Sequence, residues 1–236
     1  FGIYGHAEAA RLTYLGLYAL QHRGQESSGV VTVDEHGSAR AIRAMGLVSE
    51  GIDGRSLSEL PGDVGIGHTR YSTAGTSTID NAQPVLARFR DGHIALAHNG
   101  NIVNATELRR ELEDVGSIFS STMDSEVLVH RIAKSRREKP EERLADALEG
   151  VEGAFSLLVI IGDTLMAARD PRGWRPLVLG RLGDGWVLAS ETCALDLVGA
   201  TFERDIERGE IITIDRDGLR STFPFEYRDP RRCVFE

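Results

Sequence analysis

Four short stretches of this 236-residue sequence combine residue types that could do chemistry. The run Gly67-His68-Thr69-Arg70-Tyr71-Ser72-Thr73-Ala74-Gly75 sets an arginine beside small hydroxyl residues where an apolar strand gives out. Such an arginine can grip a carboxylate through its planar two-pronged fork, and an ordinary surface arginine fits the pattern equally well. In Ser121-Thr122-Met123-Asp124-Ser125-Glu126, acidic groups at a helix start can complement the dipole or hold a ligand ammonium group. Gln21-His22-Arg23-Gly24-Gln25-Glu26 reads as a solvated helix terminus or as a further site wall. In His98-Asn99-Gly100-Asn101, the Asn99 amide and the Gly100 N–H, unobstructed by a Cβ, are donors of the kind an oxyanion hole needs. The four together imply an amino-acid substrate attacked at a side-chain carbonyl, but none of them supplies the attacking group.

The elements that must position these residues follow from periodicity and turn chemistry. Apolar residues from Ala7 to Gln21 suit a buried helix that Gly24 can stop. SSGVVTV and ARAIRAM flank a turn at residues 34–37, and VGIGHTRYST is a third strand that runs out into a Gly/Ser/Thr-rich loop expected to be mobile. Asn-Gly after the alternating run IALAH is a strong hairpin signal, so HNGN is expected to be a turn. Asn104 with Glu107 resembles a capping box opening a helix that Gly116 closes, and DSEVLVHRIAKS and EERLADALEGV read as two more helices. From Ala154 onward, short strands alternate with Gly, Asp and Pro turns. The pattern predicts one α+β domain in which two sheets pack face to face with helices outside.

Composition narrows the partners. Twenty-seven basic against 36 acidic residues give a formal charge of −9 without a basic stripe, which argues against nucleic acid. No apolar run approaches the ~18 residues that span a bilayer, so no membrane is expected. Two cysteines, Cys193 and Cys233, lack metal-ligand spacing and fit a reducing compartment, so a cytoplasmic location is expected. The chain opens within a strand and closes without a polar tail, as a segment of a longer chain would.

The stretches LQHRGQESSG, GHTRYSTAG, NAQP, LAHNGNIVNA, STMDSEVLVH, ARDPRGWRPLVLG and ASETCALD, in this order and at these spacings from Phe1 to Glu236, resemble the glutamine amidotransferase domain of the amidophosphoribosyltransferase family. The resemblance implies an N-terminal-nucleophile hydrolase fold, a four-layer αββα sandwich of two mainly antiparallel sheets. It also implies glutamine hydrolysis to glutamate and ammonia, which feeds phosphoribosylamine synthesis from phosphoribosyl pyrophosphate in the first step of purine biosynthesis. Trp174 departs slightly, since a smaller aliphatic residue is expected between Gly173 and Arg175.

Carried over residue by residue, the resemblance makes Asn99 and Gly100 the oxyanion hole, Arg70 the binder of the substrate α-carboxylate and Asp124 that of its α-ammonium. Thr73 lies on the loop that closes over glutamine, and Arg23 and Gly24 line the site. The family's chain begins Cys-Gly-x-Phe-Gly, and Phe1-Gly2 match the last two of these. The nucleophilic cysteine is therefore expected three positions before Phe1, and residues 1–236 are expected to be the amidotransferase domain without its first few residues and without the phosphoribosyltransferase domain. Cys193 is read as a small buried hydrophobe and not as a replacement. Within this domain no cofactor is expected; magnesium belongs to the phosphoribosyltransferase domain, and Cys233 matches a cysteine that ligates a [4Fe–4S] cluster in some members. A homo-oligomer, tetramer or dimer, is expected. Two alternatives are the glutaminase domain of another class II amidotransferase and a glutamine-binding module without catalysis.

Overall fold

The computed structural model describes residues 1–71, 77–231 and 233. Two antiparallel sheets carry the architecture. The first runs β11 (Thr201–Asp205), β9 (Val178–Leu182), β10 (Gly185–Ala189), β1 (Gly2–Tyr4), β4 (Val64–Arg70), β2 (Ser27–Val33), β3 (Ala39–Met45). The second runs β13 (Gly218–Thr222), β12 (Ile211–Asp215), β8 (Thr164–Arg169), β7 (Gly153–Ile161), β6 (Gly92–Ile102), β5 (Val85–Phe89). Helices α1 (Ala9–Ala19), α2 (Val48–Gly51), α3 (Gly54–Ser58) and α7 (Thr192–Val198) belong with the first sheet, and α4 (Ala105–Asp114), α5 (Glu126–Lys134) and α6 (Pro140–Leu148) with the second.

Strand alternation divides the apolar residues into three cores, which makes the layer order αββα, as expected. In β4, Val64 and Ile66 face the other sheet, where they meet Ala95 and Ala97 of β6 and Leu158 and Ile160 of β7. In β1, Phe1 and Ile3 face α1 instead. A Cβ on Gly16 of α1 would come within 2.2 Å of the Phe1 ring, so glycine lets that ring lie flat on the helix and fixes which way β1 is turned. Along β6, Ile94, Leu96 and Ile102 face α5 and α6, and Ala95 and Ala97 face the first sheet.

The sequence reading differs from the structure at several points. His98-Asn99-Gly100-Asn101 is not a turn: β6 runs through it without interruption, with Asn99 opposite Ser156 and Gly100 opposite Phe155 of β7. A Cβ on Gly100 would sit 2.0 Å from the Ala154 carbonyl oxygen, so glycine is required there by close approach of the neighbouring strand. Asn104 precedes α4 but does not cap it, because its amide donates to the Gly150 carbonyl at 2.9 Å and its oxygen accepts from Glu152 N–H at 3.0 Å. Strands β5, β11 and β13 were not expected; all three lie at sheet edges, where one side needs no partner and the apolar signal is weak.

Ile160 is 1% exposed between the sheets. Ile160→Ala is expected to lower unfolding free energy by ~2–5 kcal/mol through loss of buried surface and the cavity left behind, read from urea denaturation at an unchanged m-value.

Candidate active site

A cleft of about 520 Å³ opens where β1 and β4 of one sheet meet β6 of the other. Arg70, Asn99, Gly100, Asp124 and Arg23, far apart in sequence, all line it. The volume suits a small metabolite.

The edge of β6 forms the floor. In an antiparallel strand, the N–H groups of alternate residues point to the same edge. The His98 N–H is accepted by Gln83 Oε1 at 2.7 Å and the Ile102 N–H by Asp124 Oδ2 at 2.8 Å. Both point away from β7, so the Gly100 N–H between them does so too. Phe155, directly across from Gly100, is committed elsewhere: its carbonyl accepts from Asp170 N–H at 2.9 Å, and its own N–H points to Asp170 Oδ2. Strand β5 stops at Val85, opposite Leu96, so no ladder covers that stretch of edge. By the same alternation the Asn99 side chain projects toward the first sheet. Its amide nitrogen is buried and finds no hydrogen-bond partner among the described residues. A buried donor left unpaired costs about 1–3 kcal/mol, which a fold tolerates where the donor has a use.

The charged groups are held firmly. Arg70 is 4% exposed and pairs through Nη1 with Glu26 Oε1. Burial of Asp124 acts against its ionised form, but His98 beside it and the N–H groups of Ile102 and Ser125 outweigh that and hold its carboxyl below the usual range. The His98 ring, itself buried, lies 3.7 Å from Asp124. Arg23 pairs with Glu191, which also meets His22 Nε2 at 3.0 Å. His68, on the inward face of β4, donates from Nε2 to the His98 carbonyl at 2.9 Å and so joins the two sheets at the cleft. Burial pushes its imidazole down to about 3, which keeps it neutral near pH 7.

Other expectations fall outside the cleft. Gly24 is buried behind Arg23, where a Cβ would lie 2.5 Å from the Arg70 carbonyl carbon, so it serves close packing of the wall and not the wall itself. Thr73 lies outside the described residues. The Cys193 thiol, half-buried, sits 3.6 Å from Glu191 Oε2, and burial together with that carboxylate pushes its pKa up, the opposite of an activated nucleophile. Cys233 supplies one thiol, whereas a [4Fe–4S] cluster takes four ligands. No group of three His, Cys, Asp or Glu side chains able to hold a metal occurs among the described residues. Gln83, Glu191 and Arg175 line the cleft and were not singled out from sequence.

A family model for the glutamine amidotransferase domain matches residues 68–197, more than half of the chain. The chain belongs to the glutamine amidotransferase domain family. The amidotransferase domain is 50% identical to amidophosphoribosyltransferase 2, chloroplastic, of Arabidopsis thaliana over 236 residues, all of this chain and 42% of that protein. It is 45% identical to the amidophosphoribosyltransferase of Bacillus subtilis over 222 residues, 94% of this chain and 46% of that one. The solved structure of B. subtilis glutamine phosphoribosylpyrophosphate amidotransferase complexed with ADP and GMP superposes with a TM-score of 0.92 at 42% identity, covering 98% of this chain and 50% of that chain. A second, described as the allosteric regulatory enzyme of purine biosynthesis, gives 0.94 at 43% identity, with 98% and 50% covered. The amidotransferase domain thus spans about half the length of the relatives it matches.

The depressed His68 pKa sets a pH dependence. Between its ordinary value and about 3, the unfolded chain takes up a proton that the folded domain refuses, so His68 removes stability as pH falls through that window. The slope is at most ~1.4 kcal/mol per pH unit. His68→Gln is expected to lose less stability than the wild type between pH 7 and pH 5, read from urea midpoints at both values.

Proposed function

We infer that this domain is the glutaminase half of an amidophosphoribosyltransferase and that it hydrolyses glutamine to glutamate and ammonia for the synthesis of phosphoribosylamine from phosphoribosyl pyrophosphate. The observation that carries the reading is the buried, unpartnered Asn99 amide beside an uncovered Gly100 N–H, in a cleft that also holds Arg70 and Asp124. Identity at the level of the relatives named above supports the choice of phosphoribosyl chemistry over other ammonia acceptors.

The strand register supports a nucleophile three positions before Phe1. Gly2, Ile3 and Tyr4 of β1 pair with Ile66, Gly65 and Val64 of β4. The Phe1 carbonyl accepts from Gly67 N–H at 2.8 Å, and the Phe1 nitrogen donates to the Gly67 carbonyl at 3.1 Å. Continued upstream in that register, the third residue before Phe1 falls opposite Arg70. Phe1 faces α1, so a residue an odd number of positions away faces the other sheet, toward Asn99.

A cysteine there, as the first residue of the mature chain, uses its own α-amine, ordinary pKa ~8, as the base for its thiol. The thiolate attacks the side-chain amide carbonyl while Asn99 and Gly100 donate to the oxyanion. The α-ammonium returns its proton to the leaving nitrogen, ammonia departs, and water hydrolyses the thioester to glutamate and free thiol. Arg70 holds the substrate α-carboxylate, Asp124 its α-ammonium, and Arg23 the mouth of the cleft. Cys233 would be one ligand if the full-length protein holds a [4Fe–4S] cluster, with the other ligands outside residues 1–236, and a cytoplasmic homo-oligomer completes the proposal. Two unpaired cysteines agree with a reducing compartment.

In the full-length enzyme, Asn99→Ala is expected to lower the glutamine-dependent kcat ~100- to 1,000-fold. Asp124→Asn is expected to raise the glutamine requirement far more than it slows the reaction at saturating ammonia. Equal losses in the two assays contradict the assignment of Asp124 and of the glutaminase role.

A further inference from the structure

Asp124 is delivered into the cleft by residues 117–125, a segment with neither helix nor strand to order it. Side chains satisfy much of its backbone instead, and two successive N–H groups meet the same residue. Glu126, in the first turn of α5 and 4% exposed, accepts from Ser120 N–H and Ser120 Oγ through Oε1, both at 2.8 Å. Through Oε2 it accepts from Ser121 N–H at 2.8 Å and Ser121 Oγ at 2.5 Å. Four donors on one carboxylate, with His130 beside it, overcome the burial that opposes ionisation and bring its pKa down to about 2.

A second set of contacts closes the same segment from outside. Arg109 donates from Nη2 to the Ser121 carbonyl at 2.7 Å while its guanidinium lies 4.0 Å from the Phe119 ring centre. Thr122 N–H donates to Asn81 Oδ1 at 3.0 Å, and Asn81 returns a bond from its amide to Thr122 Oγ1 at 2.8 Å. Met123, 3% exposed, is packed into the core beneath α5. Asp124 therefore has one end of its segment fixed by α5 and the other by the Glu126 clasp, while its own Oδ2 caps the Ile102 N–H at the β6 edge. A charge at a helix start ordinarily complements the helix's own N–H groups. Glu126 reaches backward, out of the helix, to the chain that precedes it.

We propose that Glu126 is a positioning residue for glutamine recognition, holding the turn at Ser120 and Ser121 so that the Asp124 carboxylate meets the substrate ammonium at the Gly100 edge. This rests on the reading of Asp124 given above. Loss of the Glu126 charge leaves the reacting centre at Asn99 and Gly100 in place and loosens one end of the substrate site. The effect belongs in KM more than in kcat.

The test uses the full-length enzyme with Glu126→Gln, Asp124→Asn and the double variant, assayed over a range of glutamine concentrations, with thermal midpoints as a folding control. A neutral amide keeps the shape but turns two donors toward the serines. Glu126→Gln is expected to raise the KM for glutamine about tenfold or more, the scale of a lost charged hydrogen bond, with kcat changed less than about threefold. The double variant should be no worse than Asp124→Asn alone, because the two act through one contact. An unchanged KM in Glu126→Gln beside a raised KM in Asp124→Asn overturns the positioning role and leaves the substrate reading standing. An unchanged KM in Asp124→Asn overturns the substrate reading, and with it this one. Additive effects in the double variant, or a fall in kcat that tracks the thermal midpoint, make Glu126 a structural residue and overturn the proposal.

Discussion

The site depends on how closely β4 and β6 approach each other across the sandwich. Elsewhere the two sheets are separated by aliphatic side chains such as Ile66, Leu158 and Ile160. At the cleft those give way to a hydrogen bond from His68 of one sheet to the His98 carbonyl of the other. That bond requires a proton on Nε2, and burial keeps the imidazole that carries it neutral. It holds the inward faces of the two strands at a fixed distance. Arg70, two residues beyond His68, and Asn99, one beyond His98, are then brought to the same opening by chain geometry alone.

Alternation along a strand does the remaining work. A strand offers two kinds of direction, side chains above and below the sheet and N–H groups toward either edge, and β6 uses both at once. The Asn99 amide goes to the inter-sheet face. The Gly100 N–H goes to the edge, between the capped N–H groups of His98 and Ile102. Two donors from successive residues are thus held without a loop, on the most rigid kind of scaffold available. Gln83 and Asp124 are the caps on either side, so a carboxylate that lines the cleft also satisfies the strand that carries the donors.

Much of this was legible in the sequence, and the exceptions share a cause. Two facing sheets with helices outside followed from periodicities of two and 3.6 residues. The Asn-Gly pair was misread as a turn because local turn chemistry and close strand approach ask for the same residue. What decides between them is the Ala154 carbonyl, which lies more than fifty positions away in sequence. Asn104 was misread as a cap for a related reason, since its side chain is taken up by Gly150 and Glu152. Gln83 and Glu191 carried no local signal, because each acts on a partner that only the folded chain brings near, and Glu126 showed only as an acidic group at a helix start. Edge strands such as β13, whose residues are mostly polar and exposed, lack the apolar alternation that makes an inner strand visible.

The central claim is that β1, extended upstream in register, brings a cysteine to face Asn99 across the cleft. The most direct measurement is peptide mass mapping of the full-length enzyme after incubation with a diazo-ketone analogue of glutamine. The account predicts a single adduct, on a cysteine three residues before Phe1, and protection by excess glutamine. An adduct on Cys193 or Cys233, or no adduct in enzyme that still hydrolyses glutamine, would contradict it.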